Sequence, residues 1–120
     1  MVVNKKIHVK DNFIHVKFKG EYTPNVLFDS NKIKNTCKKY KCKKILLDCS
    51  DLKFNLTTLN KLFIGENLAK IYPMIEGFKV ASVEKENNLD SFVENVAVNR
   101  LCNYRKFTDI DNAIQWLSED

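Results

Sequence analysis

The stretch Leu46–Leu62 reads LLDCSDLKFNLTTLNKL. It decides the fold, because it says where an apolar run stops and where the chain turns. With the residues just ahead of it, KKILLDC forms a short apolar run bounded by charge and turn residues. That pattern predicts a buried strand at Lys44–Cys49. Ser50 and Asp51 bond readily from side chain to backbone, which predicts a turn and a loop over Ser50–Leu56. A helix then starts near Thr57, where Thr57 and Thr58 are placed to accept from exposed backbone N–H groups. Leu59, Leu62, Phe63, Leu68 and Ile71 make its apolar stripe. It stops at Tyr72-Pro73, since the residue before proline avoids the helical region.

Upstream, Lys5–Lys10 (KKIHVK) and Phe13–Lys19 (FIHVKFK) alternate apolar and polar residues, the period of half-buried strands. Asp11-Asn12 between them suits a two-residue hairpin turn. The register then sets Val9 against Ile14 and Ile7 against Val16, with His8 opposite His15 on the other face. Gly20 ends the hairpin. Thr23-Pro24 reads as a helix cap followed by proline at the first helical position, and Val26, Leu27, Ile33 and Cys37 carry that helix to about Tyr40.

Downstream, FKVASV predicts a strand at Phe78–Val83. Asn88 caps a helix with Leu89, Phe92, Val93, Val96 and Ala97 on its apolar face. Tyr104–Phe107 is a last short strand, and Thr108 or Asp109 opens a closing helix with Ile110, Ala113, Ile114 and Leu117 inward. The order β-β-α-β-α-β-α-β-α predicts an α/β fold with a mixed sheet. The hairpin is antiparallel, and right-handed crossover helices make the later strands parallel. At 120 residues, with no repeat and no linker, one domain over 1–120 accounts for the chain. Functional loops of such sheets gather beyond the carboxyl ends of parallel strands, here Ser50–Leu56, Glu84–Asn87 and Thr108–Asp109.

Composition removes several classes of function. No apolar run approaches the roughly 20 residues that span a bilayer, and MVVNKKIHVKDN has neither the apolar stretch nor the cleavage site of a secretory signal. The expectation is a cytoplasmic protein without membrane contact. Its net charge of +5 comes from lysines, notably CKKYKCKK, with only two arginines, so nucleic-acid binding is not expected. Those lysines suit the negative end of a helix dipole. Cys37, Cys42, Cys49 and Cys102 offer only a Cys-x4-Cys pair, which is not zinc spacing, and free, mostly buried thiols are expected. His8 and His15 are too few for a structural zinc site. Gly20, Gly65 and Gly77 lie outside the three loops, so no phosphate-cradling loop, and no cofactor, is expected. Both histidines lie in the hairpin, which predicts that neither reaches Asp48, Ser50 or Thr57 and that no catalytic residue exists. Arg100 reads as a partner of its helix's C-terminal dipole.

ILLDCSDL, LFIGENLAKIYP, SFVENVAVNR and FTDIDNAIQWL, in that order and spacing, resemble the STAS-like, SpoIIAA-like group of small bacterial proteins over nearly the whole chain. The related anti-sigma-factor antagonists carry D-x-S-x-x-x-x-x-D-S after a strand, and a partner kinase phosphorylates the last serine. Asp48 and Ser50 match its first two polar positions. Leu56 stands at the second acidic position, and Thr57 at the phosphorylated one. The resemblance implies a non-enzymatic regulatory module that binds a protein partner, a second copy of itself included. Asp48, Ser50, Asp51, Thr57 and Thr58 form the candidate recognition or switch loop, with Thr57 chiefly a cap. The alternative is a carrier of a small apolar or lipid-like ligand held between helices and sheet.

Overall fold

The computed structural model describes residues 4–10, 12–22, 31–54, 59, 62, 79–84 and 103–119. Its elements are β1 (Asn4–Val9), β2 (Ile14–Tyr22), α1 (Asn31–Tyr40), β3 (Lys44–Phe54), β4 (Lys79–Glu84), β5 (Tyr104–Phe107) and α2 (Ile110–Ser118). The expected helix start at Thr23-Pro24, the helices opened by Thr57 and Asn88, and Thr58, Glu86, Arg100 and Cys102 lie outside the described residues. Leu59 and Leu62 are helical.

The hairpin has the expected register, with Val9 opposite Ile14, Ile7 opposite Val16 and His8 opposite His15. The Lys10 N–H donates to the Phe13 carbonyl at 2.9 Å and closes the connection. Among the described residues, antiparallel pairing reaches Asn4 opposite Lys19, just before Gly20. The strand itself continues to Tyr22 along β3. Gly20 makes this possible at φ 125°, a region a side chain would obstruct.

The sheet order is β1-β2-β3-β4-β5. The β2–β3, β3–β4 and β4–β5 pairs are parallel, with Ile45 opposite Val80, Cys49 opposite Glu84 and Val80 opposite Tyr104. This is the expected mixed α/β sheet. Central parallel strands are covered on both faces and read as continuous apolar runs. Accordingly Ile45, Leu46 and Leu47 are all buried, although successive side chains point to opposite faces.

Helix α2 covers one face, contacting β4, β3 and β5. Its Ala113 and Leu117 join Leu46, Ala81 and Val83, with Phe13, Phe107, Ile110, Ile114 and Trp116 packed around them. Burying a leucine here contributes about 1.5–3 kcal/mol. Asp109 is the cap, its carboxylate accepting from the Asp111 N–H at 3.0 Å. At the other end Lys79, buried in β4, sends its ammonium to the carbonyls of Trp116 (2.9 Å) and Glu119 (2.5 Å). The same ammonium lies 4.9 Å from the centre of the Trp116 ring. A cation so placed satisfies orphan carbonyls and the negative end of the dipole together.

Helix α1 buries Ile33 and Cys37, four residues apart on one face. It closes with Cys42 N–H to Cys37 O (3.0 Å) and Lys41 N–H to Lys38 O (3.3 Å), the two bonds of a Schellman cap. Lys41 sits in the left-handed region at φ 53°, where glycine is usual.

Three expectations need correction. Strand β3 does not end at Cys49 but runs to Phe54, so Ser50 and Asp51 are strand residues and not a turn. They pair onto β2, whose extension past Gly20 supplies ladder partners that outweigh the local preference of serine and aspartate for turns. Glu84, placed in the loop after a strand expected to end at Val83, ends β4 and is fully buried. Leu59, assigned to a buried stripe, is 58% exposed; single exposed apolar residues are ordinary on a folded surface.

Candidate functional site

The register between β2 and β3 slips once. Lys17 stands opposite Asp48 and Lys19 opposite Asp51, so β2 advances two residues while β3 advances three. Residues three apart on a regular strand face opposite sides. The bulge cancels that inversion and brings Asp48 and Asp51 to the face that carries His15 and Lys17. Cys49 and Leu52 are correspondingly buried.

Asp48 is the centre of the resulting cluster. It is only 4% exposed. One carboxylate oxygen, Oδ1, accepts from the Ser50 hydroxyl at 2.6 Å and from the Ser50 N–H at 3.2 Å. The second bond engages the backbone of a residue that has no opposite number on β2. The other oxygen, Oδ2, lies 3.0 Å from His15 Nε2. Burial pushes the Asp48 carboxyl up, but the hydrogen bonds from the Ser50 hydroxyl, His15 and the Ser50 amide outweigh it and hold the group below its ordinary value. Around this centre lie the His8 ring, 6.2 Å from that of His15, and an exposed Lys17–Asp51 ion pair at 3.3 Å.

The structure thus brings together Asp48, Ser50 and Asp51. Thr57 and Thr58 lie outside the described residues. The expectation that neither histidine reaches Asp48 or Ser50 is overturned, because His15 bonds Asp48. Parallel pairing of β2 with β3 sets His15 one step diagonally from Asp48, which hairpin reasoning alone does not contain. His15 and Lys17 are the residues that sequence reasoning missed. The available signal was one acidic residue, Asp48, inside a strand otherwise read as an apolar run, together with a hairpin whose polar side carries His15 and Lys17.

Chemically, the arrangement is centred on its acid. Serine and histidine both bond the carboxylate and share it as a common acceptor. A nucleophile–base–orienter relay needs the serine bonded to the histidine instead. Two buried thiols are poor nucleophiles too: burial, with the neighbouring Cys42, pushes Cys37 up to about 11, and burial with the Glu84 charge pushes Cys49 up as well. Cys37, Cys42 and Cys49 are free. Among the described residues, no cluster of three or more histidine, cysteine or acidic groups has metal-binding geometry, and no helix is long and apolar enough to cross a membrane.

Searches for a matching family model and for a similar curated protein both return nothing. Solved structures do match. An anti-sigma factor antagonist from Mycobacterium paratuberculosis superposes with a TM-score of 0.63 at 11% identity, covering 98% of this chain and 95% of that one. An uncharacterised protein from Shewanella loihica with a SpoIIAA-like fold superposes at 0.53 and 17% identity, covering 97% and 94%. The chain has the STAS/SpoIIAA-like fold.

Proposed function

We propose that this chain is a single-domain, non-enzymatic regulatory module of the cytoplasm that acts by binding a protein partner. The observation that carries the reading is the Asp48-centred cluster on a fold shared with an anti-sigma factor antagonist. A buried carboxylate that fixes one serine and one histidine builds a rigid polar surface, which suits recognition better than proton transfer. The exposed Lys17–Asp51 pair beside it supplies charges a partner can read. Thr57 and Thr58, which follow β3 in sequence, are proposed as further members of the same recognition loop, and Thr57 as a helix cap.

The test is capture from native cytosol, followed by titration of the purified partner against Lys17→Glu, Asp51→Lys and Thr57→Glu. Weakened binding by the first two variants, at unchanged unfolding midpoint, supports the surface; wild-type affinity in both overturns it. For Thr57, capping predicts that Thr57→Ala loses about 1 kcal/mol of stability while Thr57→Ser loses much less. Flat stability in Thr57→Ala, with phosphothreonine in the native protein and binding abolished by Thr57→Glu, would replace the cap with a phosphorylation switch.

A further inference from the structure

Helix α1 and its C-terminal turn carry a second feature, remote in sequence from the Asp48 cluster. Lys32, Lys34, Lys38, Lys39 and Lys41 are all exposed, and the chain from Asn31 to Leu47 contains no acidic residue. Among the described residues, none of these five lysines makes an ion pair. Two of them, Lys34 and Lys38, stand one helical turn apart, a like-charge spacing that weakens a helix. The lysines at the end of the helix suit its dipole, but Lys32 and Lys34 lie before the last turn and gain nothing from it. Beside Lys39, Tyr40 is 51% exposed, its ring 5.4 Å from that ammonium. It is one of three large apolar side chains exposed among the described residues.

We propose that the exposed side of α1 docks an acidic segment of a protein partner, with Tyr40 beside Lys39 as the apolar contact and the other lysines supplying positive charge around the helix. Charge complementarity selects an acidic occupant, and Tyr40 favours a protein. Exposed tyrosines ringed by polar groups are typical centres of protein interfaces. A membrane is disfavoured because the apolar face of α1, Ile33 and Cys37, is already buried in the fold. Nucleic acid is disfavoured because the face has lysines alone, without the arginines that engage phosphates and bases by two bonds. The inference goes beyond the Asp48 surface, since the two sites share no residue.

The experiment titrates the full chain against three probes: a short fluorescent peptide of glutamates flanking one phenylalanine, a single-stranded DNA oligonucleotide of matched charge, and phosphatidylserine-containing vesicles. The peptide is expected to bind best. Lys34→Glu/Lys38→Glu/Lys39→Glu should weaken it on the order of tenfold or more. The same three positions as glutamine, a milder change for folding, should weaken it less, and Tyr40→Ala should cost about fivefold. Asp51→Lys should leave it unchanged, which separates this surface from the Asp48 site. Tighter binding of the oligonucleotide or the vesicles than of the peptide overturns the proposal. So does peptide affinity that survives the glutamine triple in a protein with wild-type circular dichroism.

Discussion

Removing the Asp48 carboxylate is the sharpest perturbation of the site. Three donors converge on it: the Ser50 hydroxyl, the Ser50 N–H and His15 Nε2. Hydrogen bonds to a charged acceptor contribute about 1.5–3 kcal/mol each. Desolvation of a carboxylate this buried, on the order of several kcal/mol, offsets much of that sum. Asp48→Ala should therefore cost about 2–3 kcal/mol, because it also strands the donors. Asp48→Asn keeps the shape and one acceptor oxygen, and should cost only about 1 kcal/mol. The pH dependence follows from the direction of the shift. The folded carboxyl lies below its ordinary value, so the unfolded chain takes up a proton first as pH falls. The stabilisation is complete above the unfolded value, about pH 4, and disappears as pH drops through the folded one. The difference between wild type and Asp48→Asn should thus shrink below about pH 4. Urea unfolding followed by Trp116, the chain's single tryptophan, measures it at successive pH values. A difference that stays constant or widens in acid would refute the reasoning, as would an Asp48→Ala variant costing under about 0.5 kcal/mol.

Two further outcomes test the frame that holds the site. Lys79→Met should destabilise by about 1–2 kcal/mol and speed amide exchange in the last turn of α2, since it removes two charge-assisted bonds to the Trp116 and Glu119 carbonyls; unchanged exchange there would mean the lysine does not hold the helix end. Lys41→Gly should stabilise by about 1 kcal/mol in the same urea assay, because it relieves a left-handed residue at the Schellman position. A destabilised Lys41→Gly would show that the lysine side chain contributes more than its backbone costs.

What the sequence determined by itself was the hairpin, the apolar part of β3, and β4, β5 and α2, each read from short-range periodicity. Alternation over KKIHVK and FIHVKFK, with a short connection between them, leaves one hairpin register that keeps Ile14 and Val16 inside, and that register is the one adopted. The apolar run at Ile45–Leu47 marked a buried strand, and Thr108 or Asp109 with Ile110, Ala113, Ile114 and Leu117 marked α2, whose cap is Asp109. A resemblance spread along four segments named the fold. The candidate site was half legible: Asp48 was singled out at a strand end, and Ser50 and Asp51 as a turn. Tertiary structure decided the rest, because each missing feature depends on which strand lies beside which. Ser50 and Asp51 favour turns locally, and only ladder partners beyond Gly20 on β2 draw them into β3. The bulge that turns Asp51 to the side of Asp48 shifts the period by one, so alternation read along β3 alone assigns the wrong face. His15 and Asp48, 33 positions apart, meet because β2 and β3 run parallel, and the buried Lys79 makes sense only once the end of α2 lies over it.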